Sequence, residues 1–131
     1  MCKREPSVDQ WLEEVKADPK AALCGMFLTH NGVVRVTPKK LVREGVEGLG
    51  NVEKIEFSYD AQGVEQAIQE ALTWPGVHIV RVWLNEGILS VGDSIMYVLI
   101  GADIRPHAID ALQGLVGKIK TDLVVEKEYY D

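Results

Sequence analysis

Two stretches of this chain, Val77–Leu84 and Ser94–Ala102, are apolar at alternate and intervening positions alike. A strand of that kind has no wet side, so both of its faces must be covered, and helices packed on a sheet are the simplest cover. Both stretches are therefore expected as central strands. Between them, Asn85-Glu86-Gly87 and Val91-Gly92-Asp93 read as turns, with Ile88-Leu89-Ser90 as a short strand.

The covering helices are legible from their period. Ser7-Val8-Asp9-Gln10 is a capping-box pattern, and Val8, Trp11, Leu12 and Val15 follow as one apolar face, so a first helix is expected to about Ala17, ended by Asp18-Pro19. Ile55, Phe57 and Tyr59 alternate with Lys54, Glu56 and Ser58, which predicts a strand with one wet face. Asp60 then caps a second helix whose inner side is Val64, Ala67, Ile68, Ala71 and Leu72, ended by Trp74-Pro75-Gly76. Ala108, Ile109, Leu112, Leu115, Val116 and Ile119 mark a third at the three-and-four spacing. Pro106 sets its start and pushes Arg105 into the cap position. A last short strand is expected from Leu123 to Glu126, before an acidic, aromatic tail.

Two segments are harder. The run from Ala21 to Thr29, with Asn31-Gly32 as the turn and Val33 to Val36 as the return, reads as a hairpin carrying Arg35 on its second strand. Residues 37–51 hold Pro38, three glycines and the charges Lys39, Lys40, Arg43 and Glu44 without a sustained period; they read as a mobile loop. The mixture is α+β, with a mainly antiparallel mixed sheet and helices packed on it, and residues 1–131 are expected to form one domain.

Fourteen Lys and Arg stand against twenty Asp and Glu, a net charge of -6. Such a surface repels polyanions and acidic membranes, so neither nucleic acid nor membrane is expected as a partner. Two cysteines, Cys2 and Cys24, are too few for a disulfide framework and suit a reducing cytoplasm; with His30, His78 and His107 they offer no metal-ligand spacing. The opening residues are basic and lead into an amphipathic segment rather than a signal peptide's apolar core. No glycine-rich phosphate loop, nucleophile elbow or paired CxxC is present, and no cofactor or metal is expected.

Candidate chemistry therefore rests on scattered basic residues. Arg105 and His107 stand where a helix start leaves backbone N–H groups free, a place suited to an anion or equally to plain solvation. Lys120, near the helix end, suits the negative pole of the dipole. Arg35 reads as a cross-strand partner for a carboxylate, Lys127 as part of a surface ion-pair run, and Cys24 as a small core residue. Arg105 and Lys120 are fifteen residues apart in sequence, about 22 Å on an ideal helix. One small ligand cannot touch both within one chain.

Four pieces in order along the chain, Gly25-Met26-Phe27-Leu28-Thr29-His30-Asn31-Gly32-Val33-Val34-Arg35, Trp74-Pro75, Gly87-x-Leu89-x-x-Gly92-Asp93, and Arg105 to Lys120-Thr121 with Lys127-Glu128, resemble the large-subunit family of molybdopterin synthase. The resemblance implies an α/β hammerhead fold with a small β subdomain, a homodimer, and a small ubiquitin-like sulfur-carrier subunit whose C-terminal Gly-Gly thiocarboxylate enters the active site. It implies sulfur transfer to cyclic pyranopterin monophosphate, a pterin phosphate substrate, to make molybdopterin. By position it lays the family's catalytic lysine on Lys120, its second pocket lysine on Lys127 and a pocket arginine on Arg35, with Arg105 entering the pocket of the other subunit. The family's histidines fall on Ile104 and Leu84, an expected aromatic falls on His30, and an expected tryptophan on Glu126. Those changes keep in view a non-catalytic dimeric relative acting as a binding or regulatory module; apart from the resemblance, the residues alone leave open an acidic interaction domain with solvated basic residues.

Overall fold

The computed structural model describes residues 3–131; Cys2 lies outside them. The α+β class holds, with two three-stranded sheets in which every strand pairing is antiparallel. The elements in order are α1 (Val8–Lys16), β1 (Met26–Val33), α2 (Lys39–Glu44), β2 (Val52–Tyr59), α3 (Ala61–Ala71), β3 (Val77–Leu84), β4 (Gly87–Ser90), β5 (Ser94–Ala102), α4 (Arg105–Lys118) and β6 (Val124–Tyr130). A 3-10 turn, Pro19–Leu23, follows α1, and a wide π-type turn, Ile119–Leu123, follows α4.

Local chemistry accounts for the helix starts. The Ser7 hydroxyl accepts from Gln10 N at 3.2 Å and Asp60 Oδ1 accepts from Gly63 N at 3.1 Å, each supplying a partner that the first turn lacks. At α4 the cap is Ile104, one residue earlier than expected, so Arg105 is already helical. Asp103 stands just before it, its Oδ1 accepting from Ile104 N at 2.6 Å, while no side chain caps the first turn itself.

The first sheet has the order β1-β5-β3. The central strand β5 buries both faces. Leu99 meets Phe27, Ile79 and Val15 beneath α1, while Val98, Ile100 and Ala102 meet Ala108, Ala111 and Leu115 of α4. The second sheet, β4-β2-β6, turns Val52, Ile55, Phe57 and Leu89 into that larger core.

Three expectations are corrected. β3 is an edge strand, because burial of both faces under α1 and α3 leaves its lateral edge unconstrained. The expected hairpin is a single strand: β1 pairs with β5 through Asn31-Gly32. Gly32 does not take the positive φ that a two-residue turn requires, and Asn31 Nδ2 donates to Met96 O at 3.1 Å instead. The 37–51 stretch holds helix α2, closed by Gly45 at φ 69°.

Candidate functional site

Where β1 ends, three backbone hydrogen bonds fix the chain. Val34 N donates to Asp93 O at 2.9 Å, Gly92 N donates to Val34 O at 2.8 Å, and Val52 N donates to Val36 O at 2.7 Å. Val34 is buried at 4% exposure, and the next side chain, Arg35, is left on the rim. From here the chain enters α2, whose Lys39 and Arg43 are four residues apart and therefore share a helix face.

Opposite them stands β6. Glu126 and Glu128 pair with Phe57 and Ile55 of β2, so the two-residue strand period turns both carboxylates inward beside an apolar floor. Each has cationic or N–H company. Lys39 Nζ lies 3.3 Å from Glu126 Oε2, while Lys39 N donates to the two Glu128 oxygens at 3.2 and 3.0 Å. Tyr130 Oη donates to Glu128 Oε1 at 3.0 Å.

Lys120 comes in from the π-type turn after α4 and stands where two cavities meet. The first is a narrow cleft of ≈ 30 Å³ lined by Arg35, Lys39, Arg43, Lys120, Glu126 and Glu128 over Ile55 and Ile95. That is room for about a water or two. The second is an open groove of ≈ 420 Å³, a size that takes a small ligand or an extended tail. His30 and Arg43 stand on one side of it, and Leu112, Gln113, Val116 and Gly117 of α4 on the other.

Burial pushes the Lys120 ammonium below its ordinary range; Glu126 opposes that, and Arg43, Lys39 and Arg35 add to it. The imidazole of His30 is likewise pushed down, by burial first and then by Lys120. A lysine in this setting releases its proton more readily than one in water, and the nearby guanidinium and ammonium groups can hold an oxyanion. Proton transfer and nucleophilic attack by an amine are both within reach of such a group. Among the described residues no cluster of His, Cys, Asp or Glu is arranged to hold a metal, and no helix is long and apolar enough to cross a membrane.

Of the five residues singled out from sequence, the structure brings Arg35 and Lys120 together and leaves three elsewhere. Lys127 is on the other face of β6, its Nζ 5.1 Å from the Tyr129 ring centroid, because it is one residue out of phase with Glu126 and Glu128. His107 Nδ1 is engaged by Asp103 Oδ1 at 2.7 Å. The same carboxylate accepts from Ile104 N, so a negative charge already stands beside the α4 start. Arg105 is exposed at the far end of α4 from Lys120. By sequence alone Lys39 and Arg43 read as loop charges, although their four-residue spacing signals a shared helix face. His30 carried no such signal, since its position in the groove depends on β1 running straight on past Asn31-Gly32.

Comparison with known proteins gives a consistent result. Residues 2–122 match a family model described as MoaE protein. A molybdopterin synthase structure from Staphylococcus aureus is similar with TM-score 0.71 and 20% identity, covering 97% of this chain and 88% of that one. Molybdopterin cofactor biosynthesis protein E from Burkholderia multivorans is similar with TM-score 0.70 and 24% identity, covering 98% and 84%. A complex of subunits 1 and 2 of molybdopterin-converting factor from Helicobacter pylori gives TM-score 0.62 and 15% identity, covering 94% and 78%. No curated protein matches the sequence.

Proposed function

The chain belongs to the MoaE protein family, and from that membership we propose that it is the large subunit of molybdopterin synthase. In this reading it transfers sulfur from the thiocarboxylated C-terminus of a small ubiquitin-like subunit to cyclic pyranopterin monophosphate. Family membership supports the coarser statement, a role in molybdenum cofactor biosynthesis. The finer statement rests chiefly on Lys120, a partly buried lysine held below its ordinary pKa at the junction of the cationic cleft and the groove.

The groove takes the extended Gly-Gly tail, and Arg35, at the rim of the adjoining cleft, holds the phosphate of the pterin. Once the sulfur has bonded to the pterin, the Lys120 amine attacks the acyl carbon: the C–N bond forms as the acyl C–S bond breaks, the sulfur stays on the pterin, and the amine proton passes to the leaving thiolate. Lys127 and His107 are left out of this assignment, since neither faces the cleft. Arg105 joins the site only from a second copy of the chain, which makes the proposed assembly a homodimer carrying two small subunits. The similar structure from Helicobacter pylori is itself a complex, of subunits 1 and 2 of its molybdopterin-converting factor.

A second reading, a non-catalytic relative, is favoured by one observation: Glu126 already occupies the cationic cleft, paired with Lys39 at 3.3 Å. The two readings part on a reconstituted assay with thiocarboxylated small subunit and the cyclic precursor. Formation of molybdopterin supports the synthase; binding of the small subunit without product supports the second reading.

A further inference from the structure

His30 stands in the groove beside Lys120, and among the described residues nothing hydrogen-bonds its ring. It lies on β1 opposite Val98 of β5, on the strand face turned toward α4. Gly32, two residues along that face, borders the ring: a Cβ there would stand in ordinary contact, 3.6 Å from His30 Nε2 and 3.4 Å from Met96 Cγ. The groups facing it from the packed elements are Arg43 on α2, Lys120 on the turn after α4, and the uncharged Leu112, Gln113, Val116 and Gly117 on α4. The groove lining thus holds two basic side chains, Arg43 and Lys120, and no carboxylate; Glu126 and Glu128 line the adjoining cleft.

A free imidazole in a cationic groove has a defined chemical use. We propose that His30 is an oxyanion-binding residue of this groove: with Lys120 and Arg43 it holds the terminal carboxylate or thiocarboxylate of the docking tail, and it takes up a proton as that anion settles. The inference rests on the proposed docking of the tail and adds to it a residue and a proton.

The linkage follows from charge. Without an anion, burial and Lys120 disfavour the imidazolium, so the ring is neutral near neutral pH. A bound carboxylate favours the imidazolium, so affinity is highest below the free imidazole's titration and falls as pH rises through that of the bound form. The gain on lowering the pH is about tenfold for each unit by which the anion raises the ring. Lys120, whose ordinary value lies well above that of an imidazole, contributes a dependence of the same sign.

The test is an NMR titration of the His30 ring signal, about pH 5.5 to 8, with a synthetic peptide ending in Gly-Gly at millimolar concentration. His78 and His107 serve as internal controls. The expected result is an upward shift of the His30 midpoint with the free-carboxylate peptide, none with the same peptide amidated, and binding by His30→Phe whose affinity no longer varies with pH in this range. Peptide binding that perturbs Leu112, Val116 and Gly117 while the His30 midpoint stays put overturns the inference and leaves the docking reading standing. So does a His30→Phe variant that keeps the pH dependence. A phosphate is the other source of an oxyanion, and sulfate, which does not titrate here, probes it: a shift with sulfate and none with peptide overturns the tail assignment. No perturbation of the groove by either peptide overturns the docking reading itself, and this inference with it.

Discussion

Lys39 Nζ and Glu126 Oε2 stand 3.3 Å apart, and this ion pair ties α2 to β6 across the cleft that Lys120 enters. The carboxylate serves two cations at once: it pairs directly with Lys39 and, through space, holds the Lys120 proton more firmly than burial alone would allow. Replacing it with an amide removes that hold. In Glu126→Gln the Lys120 amine is expected to be free at lower pH, so the midpoint of its acylation by a small reagent, followed by mass spectrometry across a pH series, moves in the acid direction. An unchanged or alkaline-shifted midpoint contradicts the arrangement.

Lys120→Ala is expected to lower molybdopterin formation in the reconstituted assay by about a hundredfold or more, the range for loss of an acid–base group. Small-subunit binding should persist, because the rest of the groove is intact. Equal product from wild type and variant would exclude Lys120 from the chemistry while leaving the family untouched.

If Arg105 serves the partner copy, Lys120→Ala and Arg105→Ala chains should complement each other. Random pairing makes half the dimers mixed, and each mixed dimer has one site with neither change, so roughly a quarter of wild-type activity should return on mixing. No recovery in dimers shown to have exchanged subunits would place Arg105 outside the shared site.

A buried cation also has a consequence for stability. Lys120 is pushed below its unfolded value, so between the two the unfolded chain binds more protons and stability rises with pH through that window. Below it the charged lysine carries the whole penalty. Lys120→Met should therefore be more stable than wild type near neutrality, with the gap closing as the pH approaches that of free lysine, measured by urea unfolding at a series of pH values.

Gly101, on the central strand β5, tests the α1 side of the sheet. A Cβ there would stand 2.9 Å from Phe27 Cε1 and 3.1 Å from both Cys24 Sγ and Ile79 Cβ. Gly101→Ala should cost about 1–3 kcal/mol, the usual range for overpacking, read as a lower denaturation midpoint with the slope unchanged.

Much of the fold was legible because its signals are local. The Ser7 and Asp60 caps, the alternation of Ile55 and Phe57, and most of the stripe on α4 each need only a few neighbouring residues to be read, although Ile109 of that stripe is exposed and Ala111 is buried in its place. The errors came where a distant segment outvoted a local pattern. Asn31-Gly32 looks like a turn in isolation, yet pairing with β5 along all of β1 holds it extended. Residues 37–51 lack a sustained period, yet Glu128, 89 positions beyond Lys39, receives the first N–H of α2.

The site divides in the same way. The sequence alone determined which side chains carry charge, that Lys120 follows an amphipathic helix, and that Arg105 and Lys120 cannot share a small ligand within one chain. Only the tertiary structure decided that Arg35, Lys39, Arg43, Lys120 and Glu126 meet at one cleft, that His30 shares the groove, and that Lys127 faces away. The reason is physical: caps and periods act over one or two turns of chain. A perturbed lysine is made by burial and by charges far off in sequence, which meet only when the two sheets and α4 close on one core.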